Sequence, residues 1–374
     1  MEQIQQKMSL SSKMIWLLVA IVGAVSFGIL ALSRGEHVNA VWLVLAAACV
    51  YSIAYRFYSL FIANKVFELN ARRLTPAHRL ADGLDYVPTN KGVLFGHHFA
   101  AIAGAGPLVG PILAAQMGYL PGTIWLLVGV VLAGAVQDFL VLFISTRRDG
   151  RSLGEMAKQE LGTFAGVIVM LGALGVMIII LAVLALVVVK ALTNSPWGVF
   201  SIAATIPIAI FMGIYMRFIR PGKIAEVSII GFVLMMLGII YGENIAQHPY
   251  WGPLFTLSGT ELTWALIIYG FIASVLPVWL LLAPRDYLST FLKIGVIAGL
   301  ALGIVFAMPE MKLPAITQFV DGTGPVFAGS LFPFLFITIA CGAISGFHAL
   351  VSSGTTPKLV NNERDIRMIG YGGM

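Results

Sequence analysis

Inside one long apolar segment the sequence reads Phe95-Gly96-His97-His98-Phe99 and then Gly104-Ala105-Gly106-Pro107-Leu108-Val109-Gly110-Pro111. Two prolines four positions apart each remove a backbone donor, and the three glycines permit non-helical backbone, so a discontinuous helix is predicted between Gly104 and Pro111. Unwound backbone in a membrane leaves carbonyl and amide groups free to bind an ion or an anion. The same residues fit a kinked helix whose glycines lie at a close helix crossing. Both interpretations stay open from the residues alone.

The composition is that of a membrane protein. Of the 374 residues, 59% are hydrophobic and 11% are charged, and the mean hydropathy is +0.93, whereas soluble domains carry about 25% charged residues. A soluble globular protein, a disordered chain and a secreted disulfide scaffold are therefore excluded. Cys49 and Cys341 each lie in an apolar run, which predicts buried packing residues and no disulfide framework.

Ten apolar segments are candidates to cross a bilayer. They cover residues 14–32, 40–62, 93–118, 123–146, 164–190, 198–216, 227–241, 262–283, 291–308 and 331–353. With the N-terminus inside, the outer loops hold only Arg34, Lys190 and Lys312 of the 23 Lys and Arg residues. The net charge of +6 is therefore interpreted as a topology signal, and no nucleic-acid partner is expected. We expect an all-α polytopic membrane protein of about ten transmembrane helices that forms one domain over residues 1–374.

A second, milder break at Leu276-Pro277-Val278 lies in the eighth segment, five segments after the first break. Segments three and eight run in opposite directions, as the two broken helices of a five-plus-five inverted repeat do, so we expect the breaks to meet near the membrane midplane. The end of the tenth segment carries four hydroxyl residues. Their side chains either line a cation or substrate site or bond back to their own helix. They are Ser352, Ser353, Thr355 and Thr356.

Ionisable residues inside predicted spans are costly and are functional candidates by default. Asp138 is the deepest carboxylate, and it either carries a coupling proton or pairs structurally with a cation. His97 and His98 are neighbours and face different directions, so one is expected to face a cavity and the other to bond a backbone carbonyl. His348 is interpreted as a lone, satisfied histidine. Lys293, near the inner end of the ninth segment, is interpreted as a snorkelling residue.

The candidate substrate or ion site combines the break, the histidines, the carboxylate and the hydroxyls. Its members are His97, His98, Gly104, Gly106, Pro107, Gly110, Pro111, Asp138, Pro277, Ser352, Ser353, Thr355 and Thr356.

Arg285 and Asp286, flanked by prolines and aromatics, are a candidate inner gate ion pair. The loop 147–152 is interpreted as a solvated topogenic loop, with a gate as the alternative. No HExxH, P-loop, CxxC or GxSxG motif occurs, so no metal, cofactor or enzymatic activity is expected, and a transporter would draw its energy from a gradient.

Five blocks of unusual composition carry a family resemblance. They are residues 95–107, 134–139, 147–154, 276–289 and 341–357. At these blocks the chain closely resembles the carbon starvation protein A (CstA) family of bacterial inner-membrane transporters. The resemblance implies a proton-driven secondary carrier for peptides or pyruvate that works when carbon is scarce, and a distant relation to amino-acid transporters with the five-plus-five repeat. Family members continue well beyond residue 374 with several more spans, so we expect a truncated chain.

Three functional hypotheses follow. The first is a proton-coupled symporter whose substrate lies between the broken segments, with Asp138 or a histidine titrating during the cycle. A carboxylate-bearing substrate suits the free amides at the N-terminal end of a half-helix. The second is a membrane nutrient receptor that binds its ligand without net transport. The third, a metal enzyme using the histidines, lacks a third ligand at a recognisable spacing. The choice of peptide or pyruvate, the choice of proton or sodium, and the oligomeric state stay open.

Overall fold

The computed structural model describes Leu18 and residues 38–374. These residues are helical with connecting turns, and no β-strand occurs among them. Two isolated backbone bridges join Asn39 to Glu310 and Thr89 to Val360. The predicted all-α class is confirmed for this part of the chain. The first predicted segment, 14–32, lies outside the described residues apart from Leu18.

We number twelve helices in the described part of the chain. They are α1 (Ala40–Val66), α2 (Lys91–Ile102), α3 (Ala105–Met117), α4 (Tyr119–Arg147), α5 (Leu153–Leu161), α6 (Thr163–Leu192), α7 (Pro196–Ile219), α8 (Ile224–Gln247), α9 (Gly259–Val275), α10 (Leu282–Ala307), α11 (Leu331–Thr338) and α12 (Ala340–Ser353). Shorter helices lie at Pro76–Arg79, Trp251–Phe255, Gln318–Asp321, Thr356–Leu359, Glu363–Asp365 and Arg367–Tyr371.

Six of these helices are long and apolar enough to cross a membrane, namely α1, α4, α6, α7, α8 and α10. Two bent pairs, α2–α3 at 41° and α11–α12 at 63°, raise the number to eight if each pair is one span. Helix α9 is apolar but shorter. Most leucine, isoleucine and valine side chains of α6 are exposed, as expected of a surface that faces lipid rather than water. The described residues therefore have the architecture of a multi-pass membrane protein.

The boundary between the eighth and ninth segments differs from the predicted one. Helix α9 ends at Val275 and α10 begins at Leu282, so the break at Leu276-Pro277-Val278 separates two helices instead of interrupting one. Residues 284–290, predicted as a loop, belong to α10. The physical reason is the position of Pro284, the third residue of α10. The first N–H groups of a helix have no intrahelical partner, so a proline there removes no hydrogen bond.

The break in the third segment is shorter than predicted. Helix α2 ends at Ile102 and α3 begins at Ala105, so only Ala103 and Gly104 lie between them. The prediction of unwound backbone as far as Pro111 is wrong, because that proline lies inside α3. Pro107 is the third residue of α3, where a proline is tolerated.

Glycines mark the place where the two bent pairs cross. A Cβ atom on Gly106 would lie 2.5 Å from Sγ of Cys341, and one on Gly110 would lie 2.5 Å from the carbonyl oxygen of Thr338. Of the two interpretations of these glycines, the geometry supports the close helix crossing. The break of α2–α3 therefore meets the bent pair α11–α12, and not the break in the eighth segment as expected. Contrary to prediction, Cys49 is exposed; cysteine is apolar enough for a surface that faces lipid.

Candidate functional site

Two neighbouring histidines of α2 face different helices. Consecutive residues of a helix point about 100° apart, so His97 and His98 cannot share a partner. Nε2 of His98 lies 2.8 Å from Oδ2 of Asp138 on α4. Its Nδ1 lies 2.9 Å from Oγ1 of Thr356, just beyond α12. All three side chains of this triad, His98, Asp138 and Thr356, are completely buried.

The triad is arranged to hold a proton inside the protein. With Asp138 ionised, the imidazole of His98 donates through Nε2 and accepts the Thr356 hydroxyl at Nδ1, because a neutral imidazole has one donor and one acceptor nitrogen. A further proton can be held by the carboxylate or by the imidazole without moving either side chain. Oδ1 of Asp138 is buried and has no hydrogen-bond partner among the described residues. The carboxylate therefore keeps one free acceptor.

The second histidine faces α10. Nδ1 of His97 lies 2.9 Å from Oδ2 of Asp286, although the two atoms are not aligned for a hydrogen bond. The predicted gate pair between Arg285 and Asp286 is not formed in the described residues, because neighbouring positions of a helix point in different directions. The guanidinium of Arg285 instead lies 4.9 Å above the ring of Tyr269 on α9.

Two further residues of α10 contact α2: Thr290, which sequence reasoning missed, and Lys293, which it interpreted only as a snorkelling residue. Oγ1 of Thr290 donates a hydrogen bond to the carbonyl of Gly96 at 2.6 Å. Nζ of Lys293 donates to the carbonyl of Ala100 at 2.5 Å. Together with Asp286 they occupy positions i, i+4 and i+7, which lie on one helix face. That spacing is visible in the sequence, but the predicted boundaries split it between a loop and the next segment.

Lys293 is therefore not the residue near a helix end that the sequence predicted. It lies eleven residues after the start of α10, or about 17 Å along the axis. Helix α10 has 26 residues, so Lys293 lies near the middle of the helix. The expectation that one histidine bonds a backbone carbonyl is also wrong: both ring nitrogens of His98 face side chains, and neither nitrogen of His97 has a hydrogen-bond partner among the described residues.

The four candidate hydroxyl residues at the end of α12 and just after it have different environments. Oγ of Ser353 donates to the carbonyl of Ala349 at 2.8 Å, which is the back-bonding alternative. Ser352 is fully buried, and its Oγ has no hydrogen-bond partner in residues 38–374. Thr356 belongs to the triad, whereas Thr355 lines a cavity beside residues 149–152.

This cavity has a volume of about 600 Å³. Polar and charged groups of both signs line it. They include Asp85, Tyr86, Asp149, Arg151, Glu155, Ser353, Thr355 and Lys358. Pro277 lies in the link between α9 and α10, next to Val278 of the cavity wall, and takes no part in the triad. His348 is buried on α12, and its Nδ1 lies 2.9 Å from Sδ of Met374.

Arg147 is an anchor rather than a solvated loop residue. Its guanidinium donates at 2.7 Å to Oε1 of Glu363, whose side chain is 1% exposed. It also donates to the carbonyl of Phe67 and lies 4.3 Å above the ring of Phe143. The interpretation of residues 147–152 as a solvated loop is therefore wrong for Arg147, because this side chain ties the C-terminal end of α4 to Glu363.

No group of three or more His, Cys, Asp or Glu side chains placed to hold a metal ion occurs in the described part of the chain. Comparison with known proteins gives one family match. The family model described as carbon starvation protein CstA matches residues 39–374. The chain belongs to the CstA family. The triad, the break of α2–α3 and the anchor at Arg147 all lie within the matched residues.

Named relatives in the CstA family include two kinds of transporter. The chain is 67% identical to the pyruvate/proton symporter BtsT of Escherichia coli over 96% of this chain and 50% of that protein. It is 67% identical to the peptide transporter CstA of Campylobacter jejuni over 98% of this chain and 52% of that protein. The peptide transporter CstA of Mycobacterium tuberculosis is 61% identical over 98% of this chain and 48% of its own length. The chain thus spans about half the length of the curated relatives it matches, and no solved structure matches it significantly.

Proposed function

We propose that the chain serves proton-coupled secondary transport of peptides, or of small carboxylates such as pyruvate, across the bacterial inner membrane. The observation that carries this proposal is the buried triad of His98, Asp138 and Thr356 beside the break of α2–α3. An ionisable pair in the interior of a membrane protein is expensive, and such pairs mark proton pathways. The names of the relatives support the same activity.

Two substrate classes are compatible with the proposed function. A pyruvate symporter and a peptide transporter are equally similar to the chain, at 67% identity each. Both substrate classes share a carboxylate, which suits the amide groups at the start of α3 after the break. We therefore propose a carboxylate-bearing substrate, and the uptake measurement below distinguishes pyruvate from a peptide.

We further propose that residues 14–32 and α9 bring the number of crossings to ten, and that the ten form a five-plus-five inverted repeat with the N-terminus inside. The contacts between α2 and α10 support this arrangement. His97 faces Asp286 and Ala100 faces Lys293, so residue numbers rise together along both helices. Helices α2 and α10 therefore run in the same direction, as the third and ninth crossings must.

The proposed topology predicts the side from which introduced cysteines react. With Cys49 and Cys341 replaced by alanine, Thr260→Cys should react with a membrane-impermeant maleimide in intact cells, because it precedes the body of α9 on the outer side. Gln159→Cys should react only after the cells are permeabilised. Both positions are exposed, so accessibility is matched. Labelling of the two cysteines from the opposite sides would invert the topology.

Uptake into proteoliposomes tests the proposed function. The chain and the full-length pyruvate/proton symporter of Escherichia coli are reconstituted separately and supplied with labelled pyruvate or a labelled dipeptide. Accumulation that needs an imposed proton gradient, in sodium-free buffer, is expected for one of the two labels. Accumulation that needs sodium instead would refute proton coupling. Binding without accumulation by either protein would favour a nutrient receptor.

A further inference from the structure

The break between α2 and α3 frees a backbone carbonyl that the helix would otherwise use. In a continuous helix, the N–H of Gly104 donates to the carbonyl of Ala100. Here the N–H of Gly104 donates to the carbonyl of Ile102 at 2.8 Å. The carbonyl of Ala100 is therefore without its helical donor, and a buried carbonyl without a donor destabilises the structure.

Lys293 supplies the missing donor. Its Nζ lies 2.5 Å from the oxygen of Ala100, and no carboxylate lies within salt-bridge distance of it among the described residues. The ammonium group reaches this carbonyl from α10, next to Thr290, which holds the carbonyl of Gly96. One face of α10 therefore holds the last turn of α2 in place.

Helix α10, which carries Lys293, packs against four described helices, α1, α2, α7 and α8. On α10, Asp286 lies two turns before Lys293 and brings the opposite charge closest along the helix. The charged and titratable groups of these elements are Arg285, Asp286 and Tyr287 on α10; Lys91, His97 and His98 on α2; Cys49, Tyr51, Tyr55, Arg56, Tyr58 and Lys65 on α1; Tyr215 and Arg217 on α7; and Glu226, Tyr241 and Glu243 on α8. Of these, Glu226 is bonded to Tyr215 and Arg220.

We propose that the ammonium group of Lys293 is a built-in cation that holds the α2–α3 break, and that loss of its proton frees the break to move. A lysine can release its proton inside a protein, whereas an arginine cannot. The protonated form donates to the carbonyl of Ala100. The neutral amine is a much weaker donor, so the charge-assisted hydrogen bond is lost and the joint at Ala103 and Gly104 loosens.

This places a second titratable group on the side of α2 opposite the triad. Lys293 acts through the backbone of α2, so it is a positioning residue rather than a substrate ligand. The loss of a hydrogen bond to a charged group should change the equilibrium between the held and the released conformation of the α2–α3 joint by about tenfold or more. The inference rests on the proposed transport function only in assigning the release of the α2–α3 break to a step of the transport cycle.

A spin label at the break tests the inference without requiring transport. A Cβ on Gly104 would meet no atom within 4 Å, so Gly104→Cys accommodates a nitroxide in a background where Cys49 and Cys341 are replaced by alanine. The labelled chain is reconstituted in liposomes, and its electron paramagnetic resonance spectrum is recorded from about pH 6 to about pH 11, a range that includes the ordinary pKa of lysine. We expect an immobilised label at low pH and a mobile label at high pH.

Three variants separate the lysine from its neighbours. Lys293→Arg should keep the label immobilised over the whole pH range, and Lys293→Met should leave it mobile throughout. Lys312→Met, in an exposed outer loop, should behave like the parent. A pH transition that persists in Lys293→Arg would assign the titration to Asp286 or His97 and overturn the inference, as would a label whose mobility ignores pH in the parent. If Lys293→Met fails to fold, the arginine variant alone decides.

Substrate uptake by the parent chain without the spin label, in liposomes of the same composition, distinguishes the two proposals. A pH-dependent label with no uptake would refute the proposed transport by this chain and leave the role of Lys293 standing. Gradient-driven uptake with a label that does not respond to pH would overturn the role of Lys293 and leave transport standing.

Discussion

Asp138→Asn is expected to abolish substrate accumulation driven by a pH gradient while exchange of substrate across the membrane survives. Asparagine keeps the shape of the side chain and its contact with His98 at the position where Oδ2 lies 2.8 Å from Nε2. It cannot take up or release the proton. The carrier would still bind and move its substrate, but no proton would be coupled to the movement, so the internal concentration should not exceed the external one.

The measurement is paired uptake and counterflow in the same proteoliposomes. Glu243→Gln, which changes an exposed carboxylate on α8, serves as the matched control and should accumulate substrate like the parent. If Asp138→Asn accumulates substrate normally, Asp138 does not carry the coupling proton. If accumulation and exchange disappear together and the protein melts at a lower temperature, the carboxylate has the structural pairing role that was the alternative.

Gly106→Leu is expected to separate the two bent helix pairs and to remove substrate binding while the protein stays in the membrane. The crossing leaves no room for a side chain, because even a Cβ would lie 2.5 Å from Sγ of Cys341. Overpacking of a buried contact destabilises by roughly 1–3 kcal/mol, and a leucine here is expected at the upper end, at about 3 kcal/mol. Thermal unfolding in detergent and binding of labelled substrate measure the two effects.

Gly104→Leu is the matched control, since a Cβ at Gly104 meets no atom within 4 Å. It should unfold at the temperature of the parent. A second test uses the contact itself. Gly106→Ala should destabilise alone and less so when combined with Cys341→Gly, which removes the opposing sulfur; coupling between the two changes is the signature of direct contact. Additive effects, or a Gly106→Leu protein as stable as the parent, would show that the helices do not cross here.

The sequence predicted those features that depend on local chemistry. Prolines and glycines between 104 and 111 predicted a break, and the structure has one at Ala103 and Gly104. Asp138 was predicted to lie deep in the protein because it stands inside an apolar segment. Its side chain is fully buried. Which helices face each other was not predictable from the sequence, because the partner of a break is decided by packing between distant segments.

Lys293 shows how one misplaced helix end hides a functional candidate. Pro284-Arg285-Asp286 has the composition of a loop, yet it belongs to the start of α10, where Pro284 replaces an N–H group that has no intrahelical partner. Once α10 begins at Leu282, the lysine moves from a helix end to the middle of the helix. The spacing of Asp286, Thr290 and Lys293 would have signalled a polar face, but only within a helix whose start was known.

The back-to-back histidines of α2 have an electrical consequence. His97 and His98 differ in height by one helical rise, about 1.5 Å. A full unit charge crossing the membrane does work of about 2.3 kcal/mol per 100 mV, and 1.5 Å is about one twentieth of a 30 Å core. With α2 along the membrane normal, a proton that passed between the Asp286 side and the Asp138 side of α2 would move almost parallel to the membrane plane, with electrical work of only about 0.1 kcal/mol per 100 mV. The membrane voltage would thus act on the steps that bring a proton to this depth or carry it away, and would leave its passage between the two faces of α2 insensitive to voltage.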